Sequence, residues 1–156
     1  MAVPLVLITT VLLTIWWLRR SLIVVTVTGE SMLPALRHGD SLLVRRTRVG
    51  RVRRGAVVVL ELPDQRAAPA NLPPNAGLPA RWSVKRVTGL PGDVTAGIDG
   101  TCWPVPPGSL AVAGDNAAMS YDSRQVGPVP GDRLLGVVVL RLRAVDAEVV
   151  ARGRLR

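Results

Sequence analysis

The sequence predicts an all-β domain, a sandwich or barrel of short strands, preceded by one N-terminal transmembrane helix. Two observations indicate this fold class. Residues 2–18 carry no charge, and the rest of the chain consists of short Val- and Leu-rich runs separated by Gly, Pro and Asp. Runs of this kind, closely spaced by turn residues, are typical of β-sandwiches and barrels. No segment after residue 20 has a sustained helical period.

The apolar segment at the N-terminus is long enough to cross a bilayer, which requires roughly 17–25 such residues. Trp16 and Trp17 stand at its end and are followed by Arg19 and Arg20, as is typical of a membrane boundary. In a cleaved secretory signal the charges would precede the apolar run and a small-residue cleavage site would follow it. A buried core helix is the weaker alternative, because the segment has no polar face. We therefore expect residues 1–20 to be a retained anchor.

Six runs are predicted to be strands, at residues 22–27, 41–44, 56–62, 81–87, 109–114 and 134–142. Turn-forming pairs such as Pro91-Gly92 and Asp99-Gly100 separate them. The runs define a β-rich domain over residues 21–143. Residues 63–80, rich in Pro, Ala and Asn, are predicted to form a mobile loop within it. Residues 144–156 are predicted to be a charged C-terminal tail.

The chain is basic, with twenty Lys and Arg against eleven Asp and Glu. Six arginines lie within residues 45–54, with no acidic residue among them. Such a run indicates a solvated face or a contact with anionic lipid headgroups, and nucleic acid is the alternative. Aromatic residues are few and none is interleaved with the run, which leaves little for base stacking. We therefore predict membrane phospholipids as partners and no nucleic acid.

Cysteine and histidine occur once each, as Cys102 and His38. One cysteine cannot form an internal disulfide, and the two side chains are too few for a structural zinc site. We expect no metal and no cofactor. Cys102 as a nucleophile would lack a basic neighbour to lower its pKa. His38 as the base of a Ser-His-Asp triad would lie in a turn, where histidine is usually only a tolerated residue.

Lys85 is the only lysine among the twenty basic residues. Arginine stays protonated, whereas a buried lysine can be tuned to act as a base. The alternative interpretation is that Lys85 is an ordinary lysine, left by chance in a sequence whose coding bias favours arginine. To activate a serine, the pKa of Lys85 must fall from about 10.4 toward about 7–8, which burial can supply. Lys85 shares its strand face with Ser83 and Val87, which favours an inward side chain. Ser31 follows a bend at Gly29 that could expose its hydroxyl.

Four motifs follow one another along the chain, GESMLPAL at 29–36, GDSLLV at 39–44, VKRVTGLPGD at 84–93 and GDNAAMSYDSR at 114–124. Their sequences and their order resemble the conserved boxes of type I signal peptidases. The combination of KRVTGLPGD with a later GDN and DSR is highly specific. The resemblance covers most of the chain after the apolar segment. It implies an all-β catalytic domain on an N-terminal anchor.

The resemblance also implies roles for single residues. Ser31 matches the nucleophile, Lys85 the general base, and Ser120 the serine that orients the lysine amine. The residues implied in supporting roles are Gly114, Asp115, Asn116, Asp122 and Arg124, with Met32 beside the pockets for small substrate residues. Some members carry a serine as second oxyanion donor where this chain has Gly29. The oxyanion would then be bound mainly by the Ser31 N–H.

These roles imply a membrane-bound serine endopeptidase that removes signal peptides from exported precursors with small residues before the cut. A dedicated maturation protease for one secreted or conjugative substrate and a catalytically silent membrane-tethered β-module are the alternatives. Self-cleaving repressor-type peptidases share the Ser-Lys pair, but they are soluble and usually carry a DNA-binding domain. The implied location is the cytoplasmic membrane, with one span and the catalytic domain outside the cytoplasm. Arg19 and Arg20 oppose this topology under the positive-inside rule.

Overall fold

The computed structural model describes residues 2–63 and 82–143. In chain order the elements are α1 (Ala2–Ser21), β1 (Leu22–Thr26), β2 (Ser41–Arg46), β3 (Val57–Leu60), β4 (Ser83–Gly89), β5 (Val94–Ala96), β6 (Cys102–Pro104), β7 (Ser109–Ala113), α2 (Ser123–Val126), β8 (Val129–Pro130) and β9 (Leu134–Arg143). Short 3-10 helices lie at Val49–Arg51, Ala117–Met119 and Gly131–Arg133.

Seven strands form one antiparallel sheet in the order β1-β2-β9-β3-β4-β7-β8, curled into a half-barrel. β5 and β6 form a separate hairpin. The curled sheet packs apolar side chains on both of its faces. Val58 belongs to one buried cluster and its neighbour Val59 to the other, because successive strand residues point to opposite faces. The predicted all-β domain is confirmed.

The six predicted strands all have a counterpart in the sheet, although residue 81 lies outside the described residues. β5, β6 and β8 were not predicted. The strands of the β5–β6 hairpin have only three residues each, too few for an alternating pattern, and close contacts define the hairpin. A Cβ at Gly97 would lie 2.7 Å from the Trp103 ring, so the hairpin requires glycine there. The predicted mobile loop, apart from its first residue, and the predicted tail at residues 144–156 also lie outside the described residues.

The N-terminal helix α1 occupies the predicted anchor segment. Its large apolar side chains are exposed, among them Leu7, Leu13, Trp16 and Trp17. Within residues 2–63 and 82–143, no helix has the length and apolarity that identify a membrane-spanning segment. The helix is thus present where the sequence placed it, and its crossing of a membrane stays a prediction.

The loop at residues 27–40, which we call the Ser31 loop, joins β1 to β2. Its two ends are tied together, since Val27 N–H donates to the Asp40 carbonyl and Gly39 N–H to the Val27 carbonyl, both at 2.8 Å. The fully buried Asp40 carboxylate accepts from the Arg37 N–H at 2.7 Å and from the Arg141 guanidinium of β9 at 2.8 Å. The loop is therefore clamped to the sheet, which fixes the backbone that carries the predicted nucleophile.

Candidate active site

Lys85 lies in the middle of β4, between β3 and β7, and is only 4 % exposed. Its amine donates a hydrogen bond to Ser120 Oγ at 3.0 Å. Burial lowers the pKa of Lys85 from 10.5 to about 8, while the negative charge of Asp122 opposes the shift and the positive charge of Arg124 adds to it. The amine is thus far easier to deprotonate than that of an exposed lysine.

The Ser120 hydroxyl fixes the direction of the lysine hydrogen bond. Its O–H donates to Asp122 Oδ2 at 2.6 Å, so its oxygen accepts from the Lys85 amine. Ser120 therefore does not occupy the nitrogen lone pair of a neutral amine. That lone pair is the part of the amine that a general base uses to accept a proton.

Asp122 is a fully buried carboxylate that anchors this chain of hydrogen bonds. Burial alone would raise its pKa, but hydrogen bonds from Arg124, Ser120 and the Gly114 N–H lower it. Arg124 binds both carboxylate oxygens, with Nε at 2.9 Å from Oδ1 and Nη2 at 2.8 Å from Oδ2. Asp122 is also the N-cap of α2, where it forms a capping box with Gln125. The carboxylate therefore stays charged and fixed in place.

Ser31 is half-buried, and its carbonyl accepts a hydrogen bond from the Asn116 N–H at 3.0 Å. A Cβ at Gly114 would lie 2.5 Å from the Ser31 carbonyl oxygen and would also overlap Ser120. Gly114 is thus the point at which the Ser31 backbone and the Ser120 side chain meet. In the described part of the chain, neither the Ser31 hydroxyl nor its N–H makes a hydrogen bond. Both groups are available to a substrate.

The structure brings Lys85, Ser120, Asp122 and Arg124 into one hydrogen-bonded chain, but Ser31 and Asp115 lie outside it. Asp115 forms a two-point ion pair with Arg86, with both nitrogen–oxygen distances at 2.7 Å. Arg86 follows Lys85 on β4, so the pair joins β4 to the segment after β7 and raises the pKa of Arg86. Asp115 therefore supports the site through the backbone rather than through the lysine amine.

Met32 was predicted to lie beside the pockets for substrate. Its side chain is 2 % exposed and packs in the core cluster that includes Leu36 and Val84. A role in shaping such a pocket from beneath is compatible with this burial, and a direct contact with substrate stays a prediction.

The two rival catalytic residues lie elsewhere. His38 is exposed, and its Nδ1 accepts from the Gly29 N–H at 3.4 Å, which braces the Ser31 loop. Cys102 is an exposed thiol in β6. The described residues contain no cluster of His, Cys, Asp and Glu that could hold a metal ion.

Sequence reasoning missed three partners of the site. Arg86 could have been noticed because it follows the lysine in the motif VKR. Arg141 gave no local signal, because it pairs with Asp40 across 101 positions. Ser123 accepts a hydrogen bond from the Val112 N–H at 2.9 Å, which joins α2 to β7. Ser123 lies in the DSR motif, but no role was predicted for it.

Comparison with known proteins identifies the family to which the chain belongs. A family model described as "Signal peptidase, peptidase S26" matches residues 1–101 and 95–143, so the protein is a serine peptidase. The chain belongs to the type I signal peptidase family.

Three relatives illustrate this membership. The chain is 34 % identical over 124 residues to the mitochondrial ATP-independent inner membrane protease subunit 1a of Arabidopsis thaliana, covering 73 % of this chain and 66 % of the relative. It is 33 % identical over 122 residues to the mitochondrial inner membrane protease subunit 1 of Schizosaccharomyces pombe, covering 73 % and 69 %. It is 33 % identical over 142 residues to signal peptidase I of Leptolyngbya laminosa, covering 76 % and 67 %. The chain thus spans about two thirds of the length of these relatives.

Proposed function

We propose that this chain is a membrane-anchored signal peptidase in which Ser31 is the nucleophile and Lys85 the general base. The observation that carries the proposal is the buried Lys85 amine, whose pKa is lowered to about 8 and which donates to Ser120. A signal-peptidase-like protease needs an activated serine, and this amine is the group in the described residues best suited to activate one.

The gain from burying the amine can be worked out from its pKa. With a pKa of about 8, roughly one tenth of the amine is neutral at pH 7. With an ordinary pKa near 10.5 the neutral fraction would be about three in ten thousand. Burial therefore supplies roughly 300 times more of the reactive base. An exposed lysine could not give the same rate at neutral pH.

In the proposed reaction, neutral Lys85 accepts the hydroxyl proton of Ser31 as the Ser31 oxygen attacks the scissile carbonyl. The Ser31 N–H stabilises the oxyanion that develops. The protonated amine then gives its proton to the leaving amino group, and the C–N bond breaks to leave an acyl-enzyme. Lys85, neutral again, accepts a proton from water as the water oxygen attacks the ester. The protonated amine then returns this proton to the Ser31 oxygen as the ester C–O bond breaks, and the acid product leaves as its carboxylate. Ser120 and Asp122 hold the amine in place throughout.

The proposed substrates are secretory precursors with small residues before the cut, delivered at the membrane. The exposed apolar side chains of α1 support a membrane anchor, as do Trp16 and Trp17 beside the arginines at its end. Arg20 lies over the Trp16 ring at 5.4 Å, a pair suited to a membrane–water boundary. We place the β-domain on the extracytoplasmic side of the cytoplasmic membrane.

A second candidate is a maturation protease dedicated to one secreted or conjugative substrate. The similarity to two proteins named as inner membrane protease subunits favours it, because a name of that kind describes a component rather than a general signal peptidase. The two candidates share the Ser31 and Lys85 chemistry and differ in the number of precursors they accept.

The experiment is cleavage of a panel of precursors with an Ala-x-Ala site by the purified full chain in detergent. Ser31→Ala should abolish cleavage in a folded protein, while His38→Ala and Cys102→Ala stay within a few-fold of wild type. Cleavage of many precursors supports the general enzyme, and cleavage of one supports the dedicated enzyme. If the folded wild type cleaves none, the general signal peptidase is excluded. Cleavage by folded Ser31→Ala would exclude Ser31 as the nucleophile.

A further inference from the structure

Part of the arginine run, at the end of β2 and in the turn after it, lines a solvent-open cavity of about 320 Å³. Its lining consists of Arg46, Thr47, Arg48 and Arg51, so three of the four residues are cations. We call it the arginine cavity. In residues 2–63 and 82–143, none of its three guanidinium groups forms an ion pair or a hydrogen bond.

Arg54, at the end of the same run, behaves differently. Its guanidinium pairs with Asp93 at 2.6 Å and also binds the Thr88 carbonyl. This arginine is used to join two segments of the fold. The cavity arginines have no such role in the described part of the chain, which leaves their charges available to a ligand.

The backbone beneath the arginine cavity is held in place by the core. Val49 and Val52 lie between and beside the cavity arginines and are buried in the core cluster. The Arg51 N–H donates to the Arg48 carbonyl at 3.0 Å and the Val52 N–H to the Val49 carbonyl at 2.9 Å. The like charges are thus carried on a fixed turn, where they repel one another and raise the local positive potential. Binding of an anion would relieve that repulsion.

The arginine cavity lies at the α1 end of the sheet. The Cα partner of Arg45 across the β1–β2 pair is Leu22, the first residue after α1. Arg46 is the next residue along β2, whereas the Ser31 loop joins the opposite ends of the same two strands. The last turn of α1 adds Arg19 and Arg20 to this end of the molecule. The cavity is therefore adjacent to the point where the proposed anchor meets the β-domain.

We propose that the arginine cavity binds the phosphate of an anionic phospholipid headgroup. Guanidinium groups match phosphate oxygens with paired N–H donors. The cavity is open to solvent, so it can admit a phosphate that is joined to a glycerol group. The choice of lipid as the source of the phosphate rests on the membrane anchoring proposed above. Together with α1, a bound headgroup would give the β-domain a second point of attachment and set its orientation on the membrane.

The test uses the full chain in micelles of an uncharged detergent, with phosphatidylglycerol and phosphatidylcholine added in competition and bound lipid counted by native mass spectrometry. Two double variants each remove two charges from the same run. Arg48→Gln with Arg51→Gln alters the cavity, and Arg45→Gln with Arg53→Gln leaves its lining intact. The cavity variant should bind phosphatidylglycerol roughly 25-fold more weakly than wild type, at about fivefold for each arginine. The matched variant should stay within a few-fold.

Several results would overturn the proposal. Equal losses in the two double variants would mean that diffuse charge, not a site, attracts the lipid. Equal retention of phosphatidylcholine would remove the preference for an anionic headgroup. Binding of inorganic phosphate as tight as that of phosphatidylglycerol would mean a free-phosphate site. A cavity-dependent DNA complex without lipid binding would restore the nucleic-acid interpretation.

A peptide cleavage assay in the same detergent separates this proposal from the proposed function. Both double variants should cleave a soluble peptide like the wild type, because their substitutions lie outside the Ser31 loop and outside the hydrogen bonds of Lys85. If the wild type itself cleaves nothing, the proposed function fails while the lipid comparison between the two variants still decides the cavity proposal.

Discussion

Replacement of Lys85 by methionine should stabilise the protein near neutral pH. Burial lowers the pKa of Lys85 from 10.5 to about 8, and each pKa unit corresponds to about 1.36 kcal/mol. Keeping the charged amine buried below pH 8 thus costs roughly 3 kcal/mol of folding free energy. Methionine has a similar length and no charge. The loss of the hydrogen bond to Ser120 costs about 1 kcal/mol of stability. The methionine variant should therefore have a free energy of unfolding about 2 kcal/mol above that of the wild type.

The sign of the pH dependence follows from the direction of the shift. The folded-state pKa of Lys85 lies below the unfolded value, so between pH 8 and 10.5 the unfolded state binds more protons. Wild-type stability therefore gains a contribution as pH rises through that window. The advantage of the methionine variant is complete below pH 8 and disappears as pH approaches 10.5.

The assay is thermal unfolding of the full chain in detergent, followed by near-UV circular dichroism at about pH 7 and about pH 10, the two sides of the titration. Lys85→Met should melt about 5–10 °C above wild type at the lower pH, and the difference should shrink at the higher pH. The control is Arg53→Met, which removes an exposed charge and should show no such pattern. A Lys85→Met variant less stable than wild type at about pH 7, or a pH-independent gain, would refute the lowered pKa.

Three further predictions concern the site. Gly114→Ala should reduce cleavage at least about tenfold, because the added methyl group would clash with the Ser31 carbonyl. The control is Gly50→Ala, which should leave cleavage unchanged because the space around Gly50 is open. In the wild type, kcat/KM should rise about tenfold per pH unit below pH 8 and level off above it, because the Lys85 amine must be neutral to act. A value of kcat/KM that does not change with pH below pH 8 would contradict a lysine base. Arg141→Met should lower stability by about 1–3 kcal/mol and reduce kcat, since buried Asp40 loses its ion pair; unchanged melting and kcat would mean that the clamp on the loop is dispensable.

The large sheet could be predicted from the sequence because its signals are local. Val- and Leu-rich runs ended by Gly, Pro and Asp marked six strands, and each has a counterpart in the sheet. The β5–β6 hairpin could not be predicted in this way. Its strands have three residues each, and Pro104 and Ala96 have low β-propensity. The hairpin depends on the close approach of Gly97 to Trp103. The sequence around these two residues does not predict this contact.

For the candidate site, the motif order identified the residues but not all of their partners. The expected hydrogen bond between Lys85 and Ser120 is present, and Ser120 also donates to Asp122, a contact that was not predicted. Asp115 was expected to belong to the segment that brings Ser120 near Lys85, and it forms an ion pair with Arg86. Ion pairs of this kind join residues that are distant in the chain, so they depend on how the strands are ordered in the sheet. The order of the strands in the sheet is a property of the folded chain, and the local sequence patterns do not predict it.

The measurement that tests the proposed mechanism most directly is cleavage of an Ala-x-Ala precursor by folded Lys85→Arg. Arginine keeps the positive charge and much of the length of lysine, but it stays protonated and cannot act as a base. Activity should fall by several orders of magnitude, to about the level of Ser31→Ala, and the double variant should be little worse because the two residues act as one unit. Near-normal cleavage by folded Lys85→Arg would contradict the Ser-Lys mechanism and leave His38 as the base to test.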